Sequence, residues 1–556
     1  MVVSVQDSSA GALSTQPSIG AVRDTTLTAT NMAFRIWFFL RVVPIIGVNN
    51  GSCLGSSTGM TNGMTNPTDT LIVDTSTGKL RGKRMGSVQA WLNIPYAAPP
   101  VGPLRFREPQ PVQPWTGIRD ATRFGASALQ PPLLPGPLNT LISSNSQFSE
   151  DCLYLNVWSP AADGRKRPVW VWIHGGAYDL GGGSQYLGHE LAKQGDIVFV
   201  SINYRLNAFG FLNLGGLFED ERFAHNAGLL DQVAALRWVK ENIAAFGGDP
   251  GRVTIGGESA GSASVVTLMV MKAARGLFHG AIAQSAGMSL HADWNTSLDI
   301  AQEFASQLGV GRDNRDQLWS LPAPLLSRAM ERTKKTRPEG LTTRPYFDGQ
   351  VLPSSLEEAR DIRTPDIPLL IGTNLDEHRF FTVLRLPIMP LRRPRLANML
   401  TRQLGAERAD KLLALYPDTD RGLTDLGSHA IFTLPSIHFS EQHAQHAPTW
   451  RYRLDYPSPF LKLGAMHALD LFLLFPFPPK LTRLLLGKPT PELEALAQRM
   501  KRHWLRFVRE GRPEEGWPAY DLETRKTLLL NLKDELVEDP ERERRRAWAE
   551  RDVMPS

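Results

Sequence analysis

The sequence predicts an α/β fold, with a large, mostly parallel central sheet covered by helices on both faces. Short apolar runs rich in β-branched residues recur along the chain, and segments of helical periodicity such as 226–245 lie between them. Helices that cross between parallel strands give a doubly wound sheet, whose strands are buried on both faces. The runs interpreted as its strands are 169–173, 197–202, 253–255, 280–284, 368–371, 449–454 and 527–532.

The remaining segments fit around this sheet. Short strands with glycine turns are predicted at 71–73 and within 78–93, and a further strand is entered from 150–157. Helix-compatible insertions rich in leucine, arginine and proline occupy 295–340 and 385–445. They lie where such a fold carries its lid and pocket walls.

The first part of the chain differs in composition from the rest. Residues 1–68 are predicted to form a disordered leader, followed by a single domain over 69–556. Within the leader, 32–52 contains an apolar segment that is too short to span a bilayer and is interrupted by Arg41. It fits an imperfect signal peptide if translation begins at Met32. No stable membrane span is therefore expected, and exported and cytoplasmic locations both stay open.

Composition excludes several function classes. The 556-residue chain is 42% hydrophobic and 21% charged, as in ordinary globular proteins, and its net charge of +5 is small. Lysine and arginine are not clustered with aromatic residues, so no nucleic-acid partner is expected, and the mixed run 541–546 predicts a solvated helix face. The two cysteines, Cys53 and Cys152, exclude a disulfide framework, and no metal- or cofactor-binding motif occurs. The sequence does not indicate which oligomeric state the protein adopts.

The most informative stretch is Gly257-Glu-Ser-Ala-Gly261, which lies between an apolar strand and a helix-compatible run. A serine on such a sharp turn has a strained backbone, and the residues two positions away on either side must be very small. We therefore interpret Ser259 as an exposed nucleophile and the N–H of Ala260 as a donor to an oxyanion. Because G-x-S-x-G also occurs in ordinary turns, the interpretation depends on the strand and helix around it.

Other motifs follow in a fixed order. They include Ile94-Pro-Tyr-Ala97, Glu150-Asp-Cys-Leu-Tyr-Leu-Asn-Val157, Trp172-Ile-His-Gly-Gly176, Asn226-Ala-Gly-Leu-Leu-Asp-Gln232, Phe246-Gly-Gly-Asp-Pro250, Gly372-Thr-Asn-Leu-Asp-Glu377 and Trp517-Pro-Ala-Tyr520. Over about 70–520 the sequence resembles the type-B carboxylesterase family, which includes the cholinesterases, within the α/β-hydrolases. The resemblance implies an α/β-hydrolase fold with helical lid and pocket insertions. It also implies a serine hydrolase that cleaves small-molecule carboxylic esters through an acyl-enzyme.

The resemblance assigns a triad in the chain order serine, acid, histidine, which Ser259, Glu377 and His467 obey. A serine needs a base to act as a nucleophile at neutral pH, and the base needs an acid to orient it. Asp376 stays open as a rival acid, because it too follows a strand, and the glycine that follows the acid in the family is His378 here. The other histidines considered as the base are His174, His189, His225, His378 and His443.

The stretch from His174 to Ala177 resembles the glycine run that supplies backbone donors to the oxyanion in the family. The resemblance assigns Gly176, Ala177 and Ala260 to the oxyanion hole. Alanine in the third place of the run keeps its N–H group. Its methyl group narrows the alcohol side, so esters of bulky tertiary alcohols should fit badly.

Departures from the family narrow the substrate class. The loop 130–149 lacks the tryptophan that binds quaternary ammonium groups in cholinesterase-like members, so choline esters are not expected. Ala128 replaces the cysteine that pairs with Cys152 in the family, so Cys152 is expected to be unpaired.

Four further residues are expected in the substrate pocket. Glu258 matches the family and is expected to tune the electrostatics around His467. Trp294, Phe380 and Phe381 are candidate apolar walls of the pocket, and core positions are equally open for each of them. The favoured function is hydrolysis of small or medium uncharged esters. A specialised hydrolase of a toxin, carbamate, amide or polyester is a second interpretation, and a non-catalytic binding protein of the same fold is a third.

Overall fold

A central sheet organises the protein in the computed structural model, which describes residues 71–131, 147–285, 287–337, 341–384, 386 and 392–549. The predictions of a leader over 1–68 and of a signal-like segment at 32–52 lie outside the described residues. The strands are β1 (Ile72–Thr75), β2 (Gly78–Arg81), β3 (Lys83–Met85), β4 (Val88–Pro95), β5 (Ile118–Asp120), β6 (Ser127–Ala128), β7 (Phe148–Ser149), β8 (Tyr154–Ser159), β9 (Arg167–Ile173), β10 (Val198–Ile202), β11 (Gly248–Glu258), β12 (Gly280–Gln284), β13 (Leu369–Asn374), β14 (Thr449–Leu454), β15 (Lys526–Leu530) and β16 (Glu535–Glu538).

Eleven of these strands form one sheet in the order β16-β15-β14-β13-β12-β11-β9-β10-β8-β4-β3. The strands from β15 to β10 in this order run parallel to their neighbours, and the strands at both edges are antiparallel. The predicted large, mostly parallel sheet is therefore confirmed.

Helices cover both faces of this sheet. They are α1 (His189–Gly195), α2 (Asn207–Phe211), α3 (Leu214–Phe218), α4 (Ala227–Asn242), α5 (Ala260–Val270), α6 (Trp294–Leu308), α7 (Gln317–Ser320), α8 (Ala323–Thr336), α9 (Leu356–Asp361), α10 (Arg379–Val383), α11 (Arg393–Leu404), α12 (Ala406–Leu413), α13 (Asp420–Ser428), α14 (Leu434–Ala444), α15 (Leu471–Leu474), α16 (Pro479–Leu486), α17 (Pro491–Glu510) and α18 (Arg542–Ala549). Both predicted insertions are helical. No helix among the described residues combines the length and apolar character needed to cross a bilayer.

Alternation along the central strands divides the core into two layers. On β9, which is completely buried, Val169 and Val171 pack toward α4 and α5, whereas Trp170 and Trp172 belong to the core beneath α1 and α17. Successive side chains of a strand point to opposite faces, so a continuous apolar run fills both layers. This burial fixes the carboxyl ends of the parallel strands, where the candidate site lies.

The C-terminal segment departs from expectation. The run 541–546 was expected to be a solvated helix face, but Arg545 is 9% exposed and donates to Asp539 at 2.6 Å. Trp548 is 1% exposed and also packs inward. The prediction holds for Arg542, Glu543 and Arg546, which are exposed, and fails for Arg545, because a mixed charge run gives no signal that one of its ion pairs points toward the domain.

Candidate active site

Ser259 lies at the sharp turn between β11 and α5. Its backbone angles are φ 57° and ψ −124°, outside the regions that L-residues favour. A Cβ atom added to Gly257 would lie 2.5 Å from the carbonyl carbon of Gly261, and one added to Gly261 would lie 2.1 Å from the carbonyl oxygen of Ile173. The two glycines of the motif are therefore required by the close approach of three backbone segments.

A chain of hydrogen bonds joins three residues that are far apart in sequence. Ser259 Oγ lies 2.8 Å from His467 Nε2, and His467 Nδ1 lies 2.6 Å from Glu377 Oε2. His467 is 5% exposed and Glu377 is fully buried. In the tautomer with a proton on Nδ1, the imidazole donates to the carboxylate and presents a free acceptor to the serine hydroxyl. This is the geometry of a hydroxyl, a base and an orienting acid.

The loop after β13 positions the acid. The backbone N–H of Asn374 donates to Glu377 Oε1 at 2.7 Å, which leaves Oε2 for the histidine. The side-chain amide of Asn374 also donates to the carbonyl of Met466 at 2.8 Å, next to His467 in sequence. One residue at the end of β13 therefore holds both partners of the Glu377–His467 pair.

Asp376, the rival acid, has a different set of contacts. Its Oδ1 accepts from Arg421 at 2.5 Å, and its Oδ2 accepts from the backbone N–H of Ala465 at 2.9 Å. The backbone N–H of Asp376 in turn donates to the carbonyl of Ala465 at 2.8 Å. Asp376 thus connects the acid loop to the histidine loop, while Glu377 is the carboxylate that faces the imidazole.

The other candidate histidines have contacts elsewhere. His174 stacks on Tyr204, and its Nδ1 lies 2.8 Å from the carbonyl oxygen of Gly175. His225 lies 3.1 Å from the hydroxyl of Tyr346, His443 lies between Thr364 and Ile367, and His189 lies beside Glu190. His378, in the place of the family's glycine, has ordinary right-handed backbone angles at the start of α10, so the substitution leaves the turn unstrained.

The backbone between Gly175 and Ala177 lies beside the nucleophile. A Cβ atom added to Gly175 would be 3.1 Å from the Cβ of Ser259. Gly176 and Ala177 have positive φ angles of 115° and 59°. Within the described residues, the N–H groups of Gly176 and Ala177, and that of Ala260 at the start of α5, donate to no protein acceptor. These are the free donors that an oxyanion requires.

Aromatic rings surround the histidine. The ring centroids of Phe432, Phe381 and Phe380 lie 4.8, 5.2 and 6.4 Å from that of His467. Phe432 was missed from the sequence, because it lies in an insertion without a recognisable motif, on a π-helical turn over His429–Thr433. Trp294, at the start of α6, packs against His225 and Tyr346 instead.

A second carboxyl group lies close to the imidazole. Glu258 Oε1 is 3.3 Å from His467 Nε2, and Glu258 is 3% exposed. Burial raises the pKa of Glu258 to about 8, while the positive charge of a protonated His467 acts to lower it, so the charges of the two groups are coupled. For His467, burial acts to lower the pKa, but attraction to Glu258 and Glu377 outweighs it and raises the pKa of the imidazole. The site therefore stabilises a protonated histidine.

A buried polar network holds the loop that carries His467 against the sheet. Asp470 is fully buried and accepts from the Gln284 amide at 2.7 Å and the Tyr452 hydroxyl at 3.2 Å. The Trp504 indole donates to Gln284 at 2.9 Å. Burial raises the pKa of Asp470. The network fixes the chain three residues after His467 against β12, β14 and α17.

Cys152 is buried and free. It lines a cavity of about 10 Å³ together with Ala128, the position expected to have lost the partner cysteine. Among the described residues, no group of three or more histidine, cysteine, aspartate or glutamate side chains could hold a metal ion.

Comparison with known proteins shows the family of the chain. A model of the carboxylesterase family matches residues 69–548. Para-nitrobenzyl esterase of Bacillus subtilis is 38% identical over 488 residues, which cover 85% of this chain and 97% of the relative. Phenmedipham hydrolase of Pseudarthrobacter oxydans is 34% identical over 484 residues, which cover 83% and 94%. A solved structure of a thermophilic para-nitrobenzyl esterase superposes with a TM-score of 0.80 at 37% identity, covering 86% of this chain and 99% of that chain.

The matched family, the relatives and the solved structure all extend over most of the chain. Ser259, His467 and Glu377 are joined by hydrogen bonds at the carboxyl edge of the sheet. The chain therefore belongs to the carboxylesterase family and is a carboxylic ester hydrolase with an α/β-hydrolase fold.

Proposed function

We propose that hydrolysis proceeds through an acyl-enzyme on Ser259, with His467 as the general base and Glu377 as the acid that orients it. The observation that carries this proposal is the continuous hydrogen-bond chain from Ser259 Oγ through the imidazole to Glu377. Each link is within the distance at which a proton can be transferred or held.

The reaction follows from this chain. Ser259 Oγ attacks the acyl carbon as its proton moves to His467 Nε2, and the carbonyl oxygen becomes an oxyanion facing the N–H groups of Gly176, Ala177 and Ala260. When the tetrahedral intermediate collapses, the ester C–O bond breaks and the imidazolium returns its proton to the leaving alcohol. Water then attacks the acyl-enzyme with the same base, which releases the acid and regenerates the serine.

Glu258 is proposed to adjust the charge of the base. Its carboxyl group lies 3.3 Å from His467 Nε2 without forming a hydrogen bond. Burial raises the pKa of this carboxyl, and when Glu258 is protonated, Glu377 is the negative partner of the imidazole. Ionisation of Glu258 at higher pH adds a second negative charge next to the imidazolium and strengthens it as a cation.

Small or medium uncharged esters are the proposed substrates. The rings of Phe380, Phe381 and Phe432 beside His467 offer apolar contact to an acyl or alcohol group. Trp294 stays a predicted pocket residue. A specialised hydrolase is a second candidate, supported by likeness to a protein named phenmedipham hydrolase. A panel of esters, amides and carbamates at equal enzyme concentration separates the two candidates, since a specialised enzyme would favour one compound by orders of magnitude.

Fluorophosphonate labelling tests the proposed nucleophile. The probe is expected to modify Ser259 alone, as mapped by peptide mass spectrometry, and Ser259→Ala is expected to lose both labelling and ester hydrolysis. Ser262→Ala is the matched control, because the Ser262 hydroxyl is buried without a partner only three residues away. It should label and turn over like the parent. Label on another residue, or hydrolysis by Ser259→Ala at the parent rate, would contradict the mechanism.

A further inference from the structure

Arg451, on β14, is a buried cation whose hydrogen-bonding capacity the protein uses only in part. It is 4% exposed, and its Nη1 donates to the hydroxyls of Ser440 at 2.7 Å and Ser436 at 3.2 Å on α14. Its guanidinium carbon also lies 5.7 Å from the centre of the Tyr520 ring, and within the described residues no carboxylate forms an ion pair with it. Burying a charge without a counter-ion costs folding free energy, so a group that supplies negative charge beside Arg451 would stabilise the protein.

A small cavity lies beside this guanidinium. Its volume is about 20 Å³, and Arg451, Thr373 and Tyr520 are among the residues that line it. A cavity of this size holds one particle of about the size of water. Thr373 is 1% exposed, and its hydroxyl has no partner in the protein. The wall of the same cavity thus carries a cation without a carboxylate partner and a hydroxyl without any partner in the protein.

Asp539 and Glu541, which also line the cavity, and the nearby Glu441 are already bound to other cations. Glu541 accepts from Arg453 at 2.6 Å and lies 3.0 Å from His429. Of the other two carboxylates, Asp539 accepts from Arg545 at 2.6 Å, and Glu441 accepts from Arg525 at 2.8 Å. The attraction of Glu441 and Glu541 for Arg451 therefore acts only at longer range. Arg451 is therefore a cation at the cavity wall whose direct partners, the hydroxyls of Ser436 and Ser440 and the ring of Tyr520, carry no negative charge.

We propose that this cavity binds one small monovalent anion, of the size of chloride, between the guanidinium of Arg451 and the hydroxyl of Thr373. An anion accepts from both donors and supplies the missing counter-charge, whereas a water molecule supplies no charge. The cavity lies where β13, β14 and the C-terminal segment meet, so the bound anion stabilises the folded protein and takes no part in ester cleavage. The proposal is independent of the proposed acyl-enzyme mechanism.

Thermal unfolding of the full chain tests this site. Sodium chloride is compared with sodium gluconate at equal ionic strength, because gluconate is far too large for the cavity. Chloride is expected to raise the Tm by a few degrees relative to gluconate. This gain in Tm should grow with the logarithm of the chloride concentration once that concentration exceeds the dissociation constant of the site. Equal Tm values in the two salts across the whole range would overturn the proposal.

Two variants assign the effect to the cavity. Arg451→Met removes the guanidinium, and Thr373→Val removes only a hydroxyl that has no partner, so the second variant is expected to fold even if the first does not. Both should lose the chloride-specific gain in Tm. Thr333→Val is the control, because the Thr333 hydroxyl is buried but bonded to the carbonyl of Ala329. It should keep the gain.

Bromide diffusion into crystals gives a direct readout. An anomalous peak beside Arg451 is the expected result. Water density alone in the cavity, or a chloride gain that Thr373→Val retains in full, would show that the site holds a solvent molecule and no anion.

Discussion

Replacing Glu377 with glutamine perturbs the proposed triad without changing the size of the side chain. Glu377 uses both carboxylate oxygens: Oε2 lies 2.6 Å from His467 Nδ1, and Oε1 accepts from the Asn374 N–H at 2.7 Å. Glutamine has only one oxygen for these two positions. If that oxygen stays with Asn374, the NH₂ group faces Nδ1, and the imidazole must carry its proton on Nε2, where it cannot accept the proton of Ser259.

The magnitude follows from the two contacts. The reverse orientation of the amide would leave the buried N–H of Asn374 without an acceptor, which costs about 1–3 kcal/mol and favours the inactive tautomer. Loss of the charged hydrogen bond to the imidazolium adds about 1.5–3 kcal/mol. The sum of about 2.5–6 kcal/mol corresponds to a fall in kcat of about 10²- to 10⁴-fold.

The assay is steady-state hydrolysis of a chromogenic ester, with fluorophosphonate labelling rate as a second readout. Asp376→Asn is the matched control, since it makes the same chemical change one residue earlier. Asp376 pairs with Arg421, which is half-exposed, so the control is expected to lose stability and to keep kcat within about tenfold of the parent. A Glu377→Gln variant that keeps more than about a tenth of the parent kcat, or an equal loss in Asp376→Asn, would refute the assignment of the acid.

Three further predictions follow from the site. Glu258→Gln removes an attraction that raises the pKa of His467, so the rising limb of kcat/KM against pH should move to lower pH; no shift, or the opposite one, contradicts the electrostatic role. Ala177→Gly removes a methyl group at a φ of 59° and should raise the rate for a tert-butyl ester relative to its n-butyl isomer, measured by competition; an equal change for both isomers argues against steric control by Ala177. Ala128→Cys should form a disulfide with Cys152 under oxidising conditions, lower the free-thiol count by one and stabilise the fold by about 3 kcal/mol, whereas a count that rises by one means the pair does not close.

Strand identity could be read from the sequence because the central strands are buried on both faces. The run at 280–284 gives β12 with unchanged bounds, and the run at 449–454 gives β14. Because every position of such a strand is buried, its sequence is a continuous run of apolar residues bounded by turn residues. Such a run strongly indicates a central strand. Strand β16 was not predicted, because it is an edge strand whose residues are mostly exposed and form no apolar run.

The acid could not be chosen from local sequence. Asp376 and Glu377 are adjacent carboxylates after the same strand, and the choice depends on which one the turn directs toward a histidine 90 residues away. The family resemblance favoured Glu377, and the contacts agree. The geometry also supplies a reason: the Asn374 N–H binds Glu377, and the Ala465 N–H binds Asp376.

The burial of Arg451 could not be predicted from the sequences of β13 and β14. Their parallel register pairs Ile371 with Arg451 and Thr373 with Arg453, so these four side chains share one face of the sheet. A charged residue in an alternating strand usually indicates a solvated face, but here α14 and the C-terminal segment cover it.

The opposite face of the same two strands has a different role. Trp450, Tyr452 and Leu454 belong to the apolar core, and the Tyr452 hydroxyl donates to Asp470 beneath the histidine loop. One strand thus carries support for the active site on one face and the unpaired guanidinium on the other. Because the two faces share only backbone, Arg451→Met should leave the pH dependence of kcat/KM unchanged. A pH profile that moves with Arg451→Met would instead mean that the charge on this face acts electrostatically on His467.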